Sequence, residues 1–236
     1  MILAANRDEQ HSRASDPASW WADEIDVLGG RDLRAGGSWL AVDRRGRLAA
    51  VTNFIDPGSQ PAPKSRGMLV RDYLSGTASI EAFSEQLVSE GDDYGAFNLL
   101  LFDGDELGYV SNRDGARRLA AGIHSISNSH LDVDWPKTRR ASLRVDAALA
   151  SVDPTEELFG LLAERTVTRS GHTPHERSLF IVGPQYGTRS STVVLIERNS
   201  VLRFVERRFD ANGRMAGQDR FDFELRSESF AGRRVS

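Results

Sequence analysis

The amino-acid sequence predicts an α+β protein in which antiparallel β-sheets are stacked with helices. Three observations predict this class. Strand-like segments dominate both ends of the chain, helix-like segments are grouped in its middle, and no β-α-β alternation is visible. At 236 residues the chain is long enough to bury a core of its own. We therefore predict a single domain over residues 1–226, followed by a polar tail over residues 227–236.

Strands are predicted where short apolar or alternating segments are bounded by turn-forming residues. A hairpin turn is predicted at Arg198-Asn199-Ser200, between two such segments. The predicted strands are Ser38–Val42, Leu48–Asn53, Phe97–Phe102, Leu107–Ser111, Ser178–Val182, Thr192–Glu197, Val201–Phe209 and Asp219–Leu225.

Helices are predicted where apolar residues recur at a spacing of three and four. Ser79 and Asp153 are suitable N-caps, and Pro136 suits an early helical position. The predicted helices are Gly67–Leu74, Ser79–Ser89, Trp135–Ala150 and Pro154–Arg165. GxGxxG and GxxxxGK[ST] motifs are missing, which agrees with an antiparallel arrangement.

Composition excludes several functional classes. The net charge of −4 and the pI near 5.8 give no basic field for nucleic acid. No apolar run is long enough to cross a bilayer, and the start resembles no signal peptide, so we expect no membrane insertion and a cytoplasmic location. The chain has no cysteine and shows no metal-binding histidine spacing; His172 and His175 are predicted to lie in a solvated turn. No metal and no cofactor is predicted.

The first candidate site is Asn6-Arg7-Asp8-Glu9, where a short apolar strand is predicted to end in four polar side chains. Strand ends that open onto loops are common positions for functional residues. A charged turn after an edge strand is an equally good interpretation.

The second candidate is the charged pair Arg31 and Asp32, predicted to lie on a loop between two Gly-Gly pairs, Gly29-Gly30 and Gly36-Gly37. Glycines allow the backbone to approach a ligand or another strand closely. The alternative is two tight turns with an exposed ion pair.

Two asparagines, Asn53 and Asn128, are predicted at strand ends, where a neutral amide donor can hold an oxyanion. Asparagine in an ordinary turn is the alternative for either one. Arg189, in Tyr186–Thr192, follows a glycine turn and precedes hydroxyl side chains. It is predicted either to bind an anion or to cap backbone carbonyls.

Taken together, these clusters resemble the NRDE family, also called the transport and Golgi organisation protein 2 family. The resemblance covers nearly the whole chain in the family's order. Its motifs are Asn6–Glu9, Trp20-Trp21, Gly29–Asp32, Ala35–Trp39, Thr52-Asn53, Ser65-Arg66-Gly67, Phe97–Leu100, Ser111-Asn112-Arg113, Ser127-Asn128, Leu131, Trp135-Pro136-Lys137 and Tyr186–Thr192.

The resemblance implies a four-layer αββα sandwich of antiparallel sheets, as in the N-terminal nucleophile hydrolases. A second likeness is to the bile-salt hydrolase and penicillin V acylase branch of that fold, which are cysteine amidases. There the N-terminal cysteine attacks an amide carbonyl while its α-amino group carries the proton. By that resemblance Asp8 orients the amine, and Asn53 and Asn128 hold the oxyanion.

The chain departs from the family's pattern at its beginning. Family members begin with Met-Cys and a further strand before the Asn-Arg-Asp-Glu cluster, whereas here the cluster follows Met1 by five residues. We expect either a start upstream of Met1 or a member that has lost the nucleophile, and this chain, which contains no cysteine, is expected to lack competence for the cysteine reaction. Because part of the first strand is lacking, we also expect an exposed sheet edge.

Two main functions follow from the resemblance, both with a small-molecule or lipid-like ligand. One is hydrolysis of amide or acyl bonds. The other is non-catalytic binding or trafficking of haem or of an acyl-CoA or other lipid, in which His124 or His130 would approach a haem iron. An interaction scaffold in protein trafficking is a third alternative, and the oligomeric state is left open.

Overall fold

A computed structural model describes residues 1–56, 62–165 and 178–226. The predicted tail and the turn with His172 and His175 lie outside the described residues. The strands are β1 Ile2–Gln10, β2 Ser15–Trp20, β3 Val27–Asp32, β4 Leu40–Asp43, β5 Leu48–Asn53, β6 Phe97–Phe102, β7 Leu107–Ser111, β8 Gly115–Leu119, β9 Tyr186–Ile196, β10 Val201–Phe209 and β11 Met215–Glu224. The helices are α1 Gly67–Ser75, α2 Ile80–Glu90, α3 Pro136–Leu149 and α4 Pro154–Leu162, with a 3-10 turn at Gly91–Asp93.

Contacts divide the described chain into two compact units. The first unit comprises Met1–Arg13, Gly122–Ser125 and the described part of Leu131–Phe223. The second unit comprises Ala14–Ala121 without its undescribed residues, Ile126–His130, and the described chain from Glu224. Each unit combines one antiparallel sheet with helices.

The first unit has a four-stranded sheet in the order β1-β9-β10-β11. Helix α4 packs on β1 and β9, and α3 packs on α4. Strands alternate their side chains between two faces, so every second residue of β9 and β10 faces the helices. The apolar contact surface is formed by Leu158, Phe159, Leu161, Leu162, Val193, Leu195 and Val205.

The pairing of β1 with β9 joins the first strand of the chain to a strand far along the sequence. It is antiparallel, runs from Ile2 opposite Leu195 to Gln10 opposite Tyr186, and shifts register between Arg7 and Asp8. β1 is an outer strand of this sheet. No strand of the described chain pairs with its other edge.

The second unit has a seven-stranded antiparallel sheet whose strands, β2 to β8, follow one another in chain order. Helix α1 packs on β3, β4 and β5, and α2 packs on β7 and β8. Between them lies an apolar core that includes Leu69, Tyr73, Phe83, Phe97, Leu99 and Leu101.

Two motif glycines make close packing possible in the second unit. A Cβ on Gly30 would lie 2.2 Å from the ring of Trp39, and a Cβ on Gly37 would lie 2.3 Å from the carbonyl of Gly67. Both distances are far inside van der Waals contact. These glycines therefore serve the approach of neighbouring segments of this chain.

The α+β class and the antiparallel sheets are confirmed. Ser79 caps α2 by accepting a hydrogen bond from the amide of Ala82, and Asp153 caps α4 through the amide of Thr155. The predicted Leu48–Asn53, Phe97–Phe102, Leu107–Ser111 and Val201–Phe209 match β5, β6, β7 and β10.

Four predictions about strands were wrong. Asn128, predicted at a strand end, lies in the loop between β8 and α3. Asn6–Glu9 lies inside β1 rather than after it, and Arg31-Asp32 ends β3 rather than lying on a loop. Ser178–Val182 forms no strand. Individual hydrogen bonds, rather than a ladder, hold its backbone. The amide of Phe180 donates to Glu164 O, and the amide of Ile181 donates to the Thr188 hydroxyl.

β2 and β8 were not predicted, because Pro17 interrupts the pattern of the first and the second has a single large apolar residue, Leu119. Both are outer strands of the seven-stranded sheet. None of the helices that the structure describes is long and apolar enough to cross a membrane.

Candidate functional site

Asn6 lies in the middle of β1, and its side chain ties three segments of the first unit together. Its Nδ2 donates to Leu162 O, 2.9 Å away at the end of α4, and to Leu179 O at 2.7 Å. Its Oδ1 accepts a hydrogen bond from Ser191 Oγ at 2.5 Å. The carboxamide of Asn6 is therefore already occupied as a donor and as an acceptor.

Asp8 has a similar structural connection. Its Oδ1 accepts a hydrogen bond from Thr188 Oγ1 at 2.6 Å, and the same hydroxyl accepts one from the amide of Ile181 at 2.9 Å. Asn6 and Asp8 thus both hold the segment Leu179–Ile181. The hydrogen bonds described here connect segments of the first unit. The catalytic roles predicted for Asn6 and Asp8 stay predictions.

Arg7 and Glu9 alternate with these residues and project from the opposite face of β1. Arg7 is buried and lies opposite Ser190 of β9 in the strand register. Glu9 Oε1 accepts a hydrogen bond from the amide of Gln10, and its Oε2 lies 3.8 Å from Arg13 Nε. The four residues of the motif are therefore divided between two faces.

Arg189 binds the chain that leaves β1. The glycine turn predicted before it is not a turn, since Gly187 lies within β9 and pairs with Glu9. Its Nη1 donates to the carbonyl oxygens of Gln10 at 3.1 Å, His11 at 3.3 Å and Arg13 at 3.1 Å. Of the two alternatives open in the sequence, the geometry favours the carbonyl cap. Anion binding by Arg189 stays a prediction.

Arg31 and Asp32 also make local contacts. Arg31 binds both carboxylate oxygens of Asp23, at 2.5 and 2.8 Å, and lies 4.4 Å above the ring of Trp21. The hydrogen bond from Arg31 is the main reason why the pKa of Asp23 is lowered to about 2. Asp32 is buried and accepts a hydrogen bond from the amide of Arg34 at 3.0 Å.

The two candidate asparagines of the second unit, Asn53 at the end of β5 and Asn128 in the loop before α3, lie together. Asn128 Nδ2 donates to the carbonyl oxygen of Asn53 at 3.0 Å, and the amide of Ile55 donates to Asn128 O at 2.8 Å. The side chain of Asn53 is exposed and makes no hydrogen bond to any residue within the described ranges. Asn128 uses one of its two amide hydrogens, so donors from both residues remain at this strand end.

Apolar and aromatic groups flank the asparagine pair. Ile55 is 56% exposed, and the rings of Phe54 and His130 meet edge to face with centroids 5.1 Å apart. Asp56 forms an ion pair with Arg113 at 2.8 Å. Neutral amide donors therefore stand beside an apolar surface, an arrangement that suits a carbonyl attached to a hydrocarbon.

The residue that holds this arrangement was not identified from the sequence as part of the site. Asn98 is fully buried in β6, and its Nδ2 donates to Ser129 O at 2.8 Å and to Ser127 O at 3.3 Å. Thr52 Oγ1 donates to Ser127 O at 2.7 Å. The signal was visible: an asparagine within an apolar strand must find hydrogen-bond partners.

Among the residues that the structure describes, no group of three His, Asp or Glu side chains is placed to hold a metal ion. His124 Nδ1 lies 2.8 Å from Asp132 Oδ2, whereas the side chain of His130 is 57% exposed and lies 3.4 Å from Asp114. His130 is the histidine beside Asn128 in the second unit.

Comparison with known proteins finds a family model and several relatives that match most of this chain. The family model described as Transport and Golgi organisation 2 matches residues 1–211. The Transport and Golgi organization protein 2 homolog of Bos taurus is 31% identical, over 98% of this chain and 92% of the bovine protein. The Homo sapiens homolog is 30% identical, over 88% of this chain and 86% of its own length.

Drosophila melanogaster Transport and Golgi organization protein 2 is 28% identical, over 87% of this chain and 85% of the fly protein. Among solved structures, a variant of conjugated bile acid hydrolase from Clostridium perfringens aligns with a TM-score of 0.45 and 12% identity. That alignment covers 95% of this chain and 94% of the hydrolase.

Proposed function

This chain belongs to the Transport and Golgi organisation 2 family, and we propose that it binds a lipid-like acyl ligand, of which an acyl-CoA is the test case, through Asn53 and Asn128. The observation that carries the proposal is the contact between these residues. Asn128 Nδ2 bonds to Asn53 O, while the Asn53 carboxamide makes no hydrogen bond to a described residue.

Side-chain amides are suited to a neutral carbonyl. They donate hydrogen bonds without bringing a charge that would have to be desolvated. Each such bond contributes roughly 0.5–1.5 kcal/mol. Two donors at one strand end therefore fix the position of a carbonyl, and the remaining affinity must come from apolar contact.

The neighbouring residues offer that apolar contact. An exposed isoleucine costs little by itself, and Ile55 directly follows Phe54, whose ring packs against that of His130. A hydrocarbon chain gains about 25 cal/mol for each Å² of apolar surface that it removes from water here. Haem is the second ligand class of this proposal, supported by the exposed imidazole of His130.

Hydrolysis of an amide or acyl bond is the second candidate function, because the same two amides would hold an oxyanion. It requires a nucleophile in addition. The chain contains no cysteine, so the thiolate of the predicted reaction is not among its residues. Binding is therefore the step that this geometry supports best.

Calorimetric titration with a long-chain acyl-CoA tests the proposal. We expect Asn53→Ala and Asn128→Ala each to weaken binding about three- to tenfold. Asn199→Ala, in an exposed turn of the first unit, is the matched control and should bind as the unaltered chain does. Equal affinity of all four proteins, or the lack of any binding, would contradict the proposal.

The same samples distinguish binding from hydrolysis. Thioester cleavage by water yields a fatty acid and one free thiol of coenzyme A, which a thiol reagent detects. No thiol is expected above the uncatalysed rate. If the protein accelerates thiol release and Asn128→Ala slows that release, hydrolysis rather than binding alone is the function of this site.

The cytoplasmic location is part of this proposal, since acyl-CoA is available there. Fractionation of cells that express the chain with a small tag, with immunodetection of each fraction, tests it. Recovery only with sealed vesicles, protected from added protease, would contradict a cytoplasmic location.

A further inference from the structure

Several hydrogen bonds hold the segment Ser127–Ser129, which carries Asn128. Thr52 Oγ1 donates to Ser127 O, and Asn128 Nδ2 donates to Asn53 O. The buried side chain of Asn98 adds contacts on both sides of Asn128. Asn98 Nδ2 donates to the carbonyl oxygens on both sides of Asn128, those of Ser127 and Ser129. Asn98 is 0% exposed, so these bonds do not compete with water. The Asn98 carboxamide therefore contributes to the position of Asn128 through both flanking carbonyls, in addition to the bonds made by Thr52 and Asn53.

Tyr109 fixes that orientation. Its hydroxyl donates to Asn98 Oδ1 at 2.8 Å, on the side of the carboxamide opposite to the held segment. A carboxamide is planar, with an acceptor at one corner and a donor at the other. Because the oxygen is bound to Tyr109, the nitrogen must point toward Ser127 and Ser129.

The hydroxyl of Tyr109 remains a donor at physiological pH. Burial of the ring raises the pKa of Tyr109 to about 12, so the phenol keeps its proton. Asp114 Oδ2, itself bound by Arg117 at 3.0 Å, is a second acceptor for the single proton of this hydroxyl at 3.1 Å, whereas Asn98 Oδ1 lies nearer at 2.8 Å. Arg117 also covers the Tyr109 ring at 4.5 Å, which holds the phenol in place.

We propose that Asn98 and Tyr109 are positioning residues that set the placement of Asn128, and this inference rests on the proposed function of Asn128. Neither residue is required to touch the ligand. Tyr109 acts through Asn98, and Asn98 acts through the backbone carbonyls of Ser127 and Ser129.

A first experiment needs no ligand. The amide of Ile55 donates to Asn128 O at 2.8 Å, so its hydrogen exchange reports on the placement of the segment. In Tyr109→Phe, which removes only the hydroxyl, we expect exchange at Ile55 to be about three- to tenfold faster. Tyr73→Phe is the matched control, since it removes a buried tyrosine hydroxyl, bonded to Phe102 O, from the same unit.

A second experiment uses the long-chain acyl-CoA. Tyr109→Phe should weaken binding about three- to tenfold in the unaltered chain and have no further effect in Asn128→Ala. A purely structural role would weaken binding by the same factor in both backgrounds. Equal factors would overturn the inference.

The two experiments separate failure of the inference from failure of the proposed function. Unchanged exchange at Ile55 in Tyr109→Phe, relative to Tyr73→Phe, overturns the inference whatever the binding data show. Faster exchange combined with normal ligand binding by Asn128→Ala supports the positioning of the segment and overturns the proposed function instead.

Discussion

The hydroxyl of Thr188 donates a hydrogen bond to Oδ1 of Asp8 at 2.6 Å, although 180 residues separate the two in the chain. The bond joins β9 to β1 where the register between them shifts. An ionised acceptor makes such a bond about twice as strong as a neutral pair. The family's motif aspartate is thus part of the contact that closes the first unit.

We expect Asp8→Ala and Thr188→Val to lower the free energy of unfolding non-additively, with a coupling energy of about 1–2 kcal/mol. The reason is that either substitution alone already breaks their shared bond. Urea unfolding of the two single variants and the double variant gives this coupling. Costs that add to within about 0.5 kcal/mol would show that the bond contributes little to stability.

Asn6→Ala is expected to lower the free energy of unfolding by about 2–4 kcal/mol, because it leaves two backbone carbonyls and the Ser191 hydroxyl without their partner. Asn6→Asp should cost more, since a carboxylate would face the carbonyl oxygens of Leu162 and Leu179. Thermal and urea unfolding measure both. Asn199→Ala provides the reference, with an expected cost below about 1 kcal/mol. Native stability of both Asn6 variants would favour the catalytic role instead.

Gly37→Ala is expected to destabilise the second unit by about 3 kcal/mol or more, since its Cβ would overlap the backbone carbonyl of Gly67, which cannot move aside. Gly36→Ala is the matched comparison. Gly36 has φ +75° with open space around its Cβ position, so only backbone strain of about 1–2 kcal/mol is expected. Denaturation midpoints of the two variants test this order, and equal costs would refute the packing role of Gly37.

Stability should fall at alkaline pH in a way that depends on Tyr109. An unfolded tyrosine ionises near pH 10, whereas burial raises the pKa of Tyr109 to about 12. Its contribution is complete below pH 10 and is lost as the pH rises from 10 to 12, because only the unfolded state releases its proton there. Between pH 9 and 11 the unaltered chain should lose on the order of 1 kcal/mol more than Tyr109→Phe.

Urea unfolding at the two pH values measures this difference. Tyr186, whose pKa burial also raises to about 12, remains in both proteins, so its contribution cancels. Equal losses in the two proteins would show that the Tyr109 hydroxyl titrates as it does in the unfolded chain.

The sequence was sufficient to predict the bounds of strands that alternate polar and apolar residues or that are apolar along their whole length. Leu48–Asn53 and Val201–Phe209 were predicted with the bounds that the structure has, because each carries a continuous strand pattern between turn residues. The family resemblance is confirmed by the match over residues 1–211. Ser178–Val182 has the same apolar character but no strand, since side chains and single carbonyls, rather than a ladder, take its hydrogen bonds.

The candidate site was harder to predict, because partners far apart in sequence decide it. Asn53 and Asn128 were both predicted at strand ends, which is correct for Asn53 and wrong for Asn128, and the structure brings them into contact. Residues up to 179 positions apart form these contacts. Arg189 caps three carbonyls near the end of β1, and Asn98 holds the segment around Asn128. Local patterns contain no information on such pairs.

The pairing of β1 with β9 has a consequence for how this protein emerges from the ribosome. Translation proceeds at about 5–20 residues per second, so roughly ten to thirty-five seconds pass between synthesis of β1 and of β9. The seven strands from β2 to β8 pair with neighbours in chain order and can assemble during that interval. During this interval the edge of β1 that later pairs with β9 has no partner strand. We therefore expect a chaperone that binds short apolar strands to bind the nascent β1.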